Sequence, residues 1–325
     1  MSTGPTRFVL ALALLAALVG PAPASADGAP GASLVATIPV STPRDVTGAF
    51  GSIWVANGPS RTVTRIDPAT NSTTAVIPVP DPASVLAVGA GSLWLTSFPG
   101  NSVTRIDPTA NRAVGTISSG GLGPIGIAYA ADHIWVANHH GDPTGSVAKI
   151  DPATMHVVDV IPVGAAQFDS GPNWIAAGAG SLWVGVPNLS AVVRINPSRD
   201  TIVATIPDKG VCGAIAATDA AVWVAGAGGP GCLPGITRID PRTNAVTDRF
   251  NAGGQVGPLA LGAGSLWYGT LTSDLLGRVD TTTNTIVGQL KLPGPADKGL
   301  TVAFGAVWAT DSRDGLLFRL EAGPR

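Results

Sequence analysis

Apolar and small residues return along the chain in one local frame about forty residues long. Tryptophan marks it at Trp54, Trp94, Trp135, Trp183, Trp223, Trp267 and Trp308, at intervals of 40, 41, 48, 40, 44 and 41 residues. An aliphatic residue precedes each one (Ile53, Leu93, Ile134, Leu182, Val222, Leu266, Val307). Another lies eight positions upstream, at Val46, Leu86, Ile127, Ile175, Ile215, Leu259 and Leu300. Seven positions upstream the residue is always small: Thr47, Ala87, Ala128, Ala176, Ala216, Ala260 and Thr301. Downstream comes a basic-aliphatic-acidic triplet, Arg65-Ile66-Asp67 in the first copy, with later copies starting at Arg105, Lys149, Arg194, Arg238, Arg278 and Arg319. The base follows its Trp by 11 residues, except in the third and fifth copies, where the distance is 14 and 15.

Between these anchors the alternation has period 2, with no helical period. Turn signals such as Pro68-Ala69-Thr70-Asn71 separate β-branched runs such as Ile202-Val203-Ala204-Thr205-Ile206. Each copy therefore reads as four short strands, A to D, placed in the second copy at 85–88, 93–96, 103–106 and 113–117. Such a unit cannot bury both faces alone, whereas seven arranged radially bury each sheet between two neighbours. The expected fold is all-β, a seven-bladed β-propeller of four-stranded blades. The small residue in strand A suits the crowding around the axis. The seventh copy ends after its C strand, and a surplus D-like segment, 33–40, stands at the other end of the chain. An N-terminal strand completing the last blade would close the ring.

The first 26 residues have a different character. Arg7 precedes an apolar run of 12 residues, 8–19, and Ala24-Ser25-Ala26 supplies a small-x-small cleavage site. As a helix that run rises only ~18 Å, short of a ~30 Å hydrocarbon core. We read 1–26 as a signal peptide and 27–325 as one propeller domain, secreted or otherwise extracytoplasmic, with no integral membrane segment after signal removal. Composition adds one exclusion. Formal net charge is −2 and only 12% of residues are charged, so no basic field favours nucleic acid.

The run Trp54-Val55-Ala56-Asn57, followed by Thr62-Val63-Thr64-Arg65-Ile66-Asp67-Pro68-Ala69-Thr70-Asn71 and Val76-Ile77-Pro78-Val79, resembles the YVTN-type propeller repeat. Trp stands for its usual Tyr and Ala for its usual Thr. That resemblance implies a seven-bladed propeller and no particular activity. The Gly-x-Gly-Ser-Leu-Trp form at 89–94, 178–183 and 262–267 is also similar to the virginiamycin B lyase (streptogramin lyase) family. Membership would imply magnesium-assisted elimination, with His at inner-strand starts and Glu three residues after a repeat Trp. Here the residues three after Trp are Asn57, Ser97, Asn138, Val186, Gly226, Thr270 and Asp311. The inner-strand starts are Arg44, Ser84, Ile125, Asn173, Gly213, Gly257 and Lys298. Neither series supplies the lyase's chemistry.

Three insertions fall on the face where B–C loops and D–A connections emerge: 139–145, 164–172 and 226–235. Insertions on one face of a repeat array mark a candidate binding face. Trp174 stands outside the repeat frame at the end of the second insertion. With His139, His140, Asp142, Phe168, Asp169 and Asn173 it forms the candidate ligand-binding rim. Trp174 as a filler beneath the loop, with solvated histidines, is the alternative. His139, His140, Asp142 and Asp169 have metal-ligating chemistry but no recognised spacing, so no metal is expected. Arg44, Asp45, Asp297 and Lys298 read as a small ion-pair cluster across the closure. The basic triplets read as a structural feature repeated seven times. Cys212 and Cys232, on one face of one blade in an exported chain, are expected to form a disulfide.

There is no nucleophile elbow, phosphate loop or zinc spacing, and no cofactor is expected. The leading function is a non-catalytic, monomeric propeller that binds a protein, peptide or small ligand on the loop-bearing face. A lyase-like or lactonase-like enzyme is the alternative, and an envelope structural module is a third reading.

Overall fold

A computed structural model describes residues 32–140, 145–164, 171–229 and 231–323. They form seven four-stranded antiparallel sheets, each running A–B–C–D from axis to rim. Blades 1 to 6 span 43–78, 86–118, 122–162, 175–207, 215–250 and 256–291, and blade 7 combines 300–322 with Ala32–Pro39. In the second blade the strands run Leu86–Gly89, Ser92–Ser97, Ser102–Asp107 and Arg112–Ser118, within two residues of the bounds set by period. The fold is a seven-bladed β-propeller.

The ring closes through the N-terminal strand. Ala32–Pro39 pairs antiparallel with Leu316–Ala322, with Leu34 opposite Leu320 and Ile38 opposite Leu317. Ile38 is buried with Ile53, Val55, Trp308 and Leu317, so this strand joins the apolar layer between blades 7 and 1.

The seven repeat tryptophans lie between sheets and are all but completely buried. In six blades the indole N–H donates to the carbonyl five residues upstream, as from Trp54 to Ala49 at 2.9 Å. In the same six the repeat base lies over the indole, 4.8–5.5 Å from the ring centroid. Its tip then reaches the next blade. Arg65 donates to the Pro108 carbonyl and Asn111 Oδ1, Arg105 to the Pro152 carbonyl, and Lys149 pairs with Asp200. Arg194, Arg278 and Arg319 reach the Pro241 carbonyl, the Gly323 carbonyl and Asn71 Oδ1. The triplet is thus a staple between adjacent blades. Its acid works locally: Asp67 Oδ1 accepts the Ala69 and Thr70 N–H groups and sets the C–D turn.

Candidate functional site

The inner-strand starts are equivalent positions in seven blades, and a closed ring must bring equivalent positions to one axis. Six of them, Arg44, Ser84, Ile125, Gly213, Gly257 and Lys298, line a single cavity of about 570 Å³ on the loop-bearing face. At the seventh, in blade 4, Trp174 lines it in place of the adjacent Asn173. Phe98, Pro99, Pro82, Val85 and Leu271 supply further apolar wall, while Arg44, Lys298 and Asp297 gather at blades 1 and 7. The wall is thus mainly apolar, with its charges gathered at blades 1 and 7.

Hydrogen bonds between consecutive blades hold this mouth open. The Leu86 N–H donates to Asp45 Oδ2 at 2.8 Å, Thr96 Oγ1 to the Ile125 carbonyl at 2.9 Å, and the Gly126 N–H to the Asn173 carbonyl at 2.7 Å. The Ala214 N–H donates to the Gly257 carbonyl at 3.1 Å. Glycine at 257 reflects crowding, because a Cβ there would press on the Leu271 side chain. Trp174 is half-buried. It packs against the apolar layers on both sides of blade 5 and also lines the cavity.

The other candidate residues are distributed differently. Asn173 is half-buried, and its backbone, not its side chain, makes the inter-blade link. His139 and His140 are half-buried and in ring contact with each other at 4.5 Å. Their rings meet Phe98 tilted and edge-on, with centroids at 6.3 and 5.6 Å, and neither lines the cavity. Asp142, Phe168 and Asp169 lie outside the described residues, as does the signal segment. The two insertions do meet: a Cβ on Gly171 would collide with the His139 carbonyl, and one on Gly145 with Pro172. Among the described residues no three His, Cys, Asp or Glu side chains gather as a metal-binding group.

Of the four charges expected as a cluster across the closure, only Asp297 and Lys298 pair, at 3.6 Å. Asp297 also accepts Ser312 Oγ at 2.6 Å. Arg44 is exposed at the cavity edge, with its stem beside Gly58. Asp45, the next residue, is half-buried and enclosed by the surrounding protein. That enclosure pushes its carboxyl up to about 6, against the opposing pull of the Leu86 and Val46 N–H groups. A raised acid favours the protonated fold. Its contribution is fully present below the unfolded value of 3.8 and is lost as pH rises through about 6. Asp45→Asn keeps an acceptor for Leu86 and removes the buried charge. It should raise stability by up to ~3 kcal/mol at pH 8 and leave it unchanged at pH 3, where both forms are neutral. Denaturant melts at both pH values check this. A loss at pH 8 would mean that the ionised carboxylate supports the fold.

Cys212 and Cys232 are joined in a disulfide, Cα atoms 6.3 Å apart. It ties the connection entering blade 5 to that blade's B–C loop, and Cys212 lines the cavity. Asp208 anchors the same connection by accepting the Gly210 N–H at 2.9 Å and pairing with Arg249. The positions three after each Trp hold buried residues that do not line the cavity. Asp311 Oδ1, for instance, accepts the Arg313 and Asp314 N–H groups. Among the described lining residues there is neither histidine nor glutamate.

No protein-family model matches the chain. No curated protein matches it by sequence. Solved structures do match by fold. Virginiamycin B lyase from Staphylococcus aureus superposes with a TM-score of 0.72 at 19% identity, covering 89% of this chain and 99% of that one. Kuenenia stuttgartiensis hydrazine synthase superposes with a TM-score of 0.72 at 15% identity, covering 86% of this chain and 96% of that one. At these identities the likeness is one of fold.

Proposed function

We propose that this chain is an exported binding propeller whose axial cavity takes a small or peptidic ligand with an apolar body and an acidic group. The observation that carries the reading is the convergence of all seven blades on one cavity, with Trp174, Phe98 and Leu271 in its wall and Arg44 and Lys298 together at blades 1 and 7. Apolar concave surface with a few placed charges is the usual makeup of a ligand site. The paired Asp297 leaves Arg44 as the cation open to an incoming anion. Export is supported by the N-terminal pattern and by the disulfide. No helix among the described residues is long and apolar enough to cross a membrane. Among the described residues, the lining includes no histidine–glutamate pair of the kind the elimination would use.

Anilinonaphthalene sulfonate, an aromatic anion, is a suitable probe. Its fluorescence should rise saturably with the native protein. Trp174→Ala and Arg44→Ala should each weaken binding by about tenfold, equivalent to ~1.4 kcal/mol. Non-saturable enhancement, or affinity unchanged in both variants, would place the probe elsewhere and refute the reading.

A further inference from the structure

The staple between blades fails at one junction of the seven. Arg238 in blade 5 is not over Trp223 and donates to Thr247 Oγ1 on its own blade at 3.2 Å. No hydrogen bond from it reaches blade 6 among the described residues. Its Nε is buried with no acceptor. The causes can be read residue by residue. Where Ser52, Ser92, Ser181 and Ser265 accept the arginine Nε in other blades, blade 5 has Ala221. Blade 7 also lacks that serine, having Ala306, yet Arg319 still stacks and crosses, so this change alone is insufficient.

Two further changes complete the failure. Thr218 occupies the position whose carbonyl accepts the indole N–H elsewhere, and Trp223 Nε1 turns instead to Asn284 Oδ1 at 3.4 Å. The equivalent carboxamides, Asn111, Asn244 and Asn71, serve the arginine of the preceding blade. At the position of the Pro108, Pro152 and Pro241 carbonyl acceptors, blade 6 has Thr281. The result is a cavity of about 490 Å³ between blades 5 and 6, on the face opposite the axial site. Arg238 lines it together with Thr218, Ser265, Thr281 and Thr282. Asp240, the acid of the same triplet, is engaged by Arg242 through Nε at 3.2 Å and Nη2 at 3.0 Å.

We propose that this junction is a second ligand site, for a hydroxylated carboxylate of the sugar-acid class. Arginine is always charged, and its planar fork matches a carboxylate. The hydroxyl-bearing wall matches a polyol. An unsatisfied buried N–H is costly, so a ligand that draws the guanidinium into the cavity relieves it. This site is independent of the axial one, which lies on the other face.

The test uses glucuronate as probe, with glucose and inorganic phosphate as comparators, followed by calorimetry and thermal shift on the full-length folded protein. Glucuronate should bind saturably, with glucose and phosphate each at least about tenfold weaker. Arg238→Gln should weaken glucuronate by about tenfold or more, while Arg112→Gln, at an exposed arginine of blade 2, leaves it unchanged. A repaired junction, with Thr218→Gly, Ala221→Ser and Thr281→Pro, should restack Arg238, close the cavity and abolish binding in a protein at least as stable as the parent. Because that variant restores the pattern of the other blades, lost binding there is separate from lost folding. No binding at concentrations on the order of 10 mM, or binding that survives both Arg238→Gln and the repair, overturns the proposal. Equal affinity for phosphate overturns the sugar-acid assignment.

Discussion

Removal of residues 32–40 should abolish the closed ring, and we expect the product to be aggregated or unfolded rather than a six-and-three-quarter-bladed monomer. The strand pairs along its length with Leu316–Ala322, and the Val40 N–H reaches the Gly315 carbonyl at 2.9 Å. Losing it bares a full backbone edge, a template for intermolecular pairing. It also uncovers the apolar layer around Ile38, Trp308 and Leu317. Burying one such aliphatic side chain contributes ~1.5–3 kcal/mol, and several are uncovered together. Against a total stability of order 5–15 kcal/mol, the expected loss is most of the fold. Light scattering after size exclusion, with a circular-dichroism melt, reads the outcome. A monomer with the parent's melting temperature would refute closure by this strand.

The second large effect concerns the repeat tryptophans. Trp183 is fully buried, donates to the Gly178 carbonyl at 3.0 Å and carries the Arg194 guanidinium 4.8 Å from its ring. Trp183→Ala opens a cavity between blades 4 and 5, strands that carbonyl and removes the surface on which Arg194 is aligned. The expected cost is ~3–5 kcal/mol. Trp174 borders an existing cavity and is only half-buried, so Trp174→Ala should cost no more than about half as much. Paired urea titrations measure both. Equal large losses would make Trp174 chiefly a packing residue and detach the axial site from it.

The fold was legible because each blade repeats a local pattern whose period, turns and small inner residues act within forty residues of one another. The number of blades followed from Trp54 to Trp308, and closure from a strand missing at one end and present at the other. The purpose of the basic triplet was only half legible. Arg65 and Asp67 recur visibly, but the partners of the bases lie 43–51 residues away in adjacent blades, or 248 residues away for Arg319 and Asn71. Once the staple is known, Thr218, Ala221 and Thr281 stand out in the repeats. Without it they are three ordinary small residues.

The candidate site divides in the same way. Trp174 drew notice in the sequence because it breaks the frame, and it does line the cavity. His139 and His140 drew notice for their chemistry, yet they pack against Phe98, a residue with no mark of its own in the repeat. Arg44, Ser84, Ile125, Gly213, Gly257 and Lys298 share no single residue type. Only their equivalence as inner-strand starts connects them. Sequence alone determined the repeated strand pattern, and with it the propeller, because hydrophobic period and turn chemistry are local. Tertiary structure decided which side chains share a cavity, because one residue from each blade meets the others only when the ring closes around an axis.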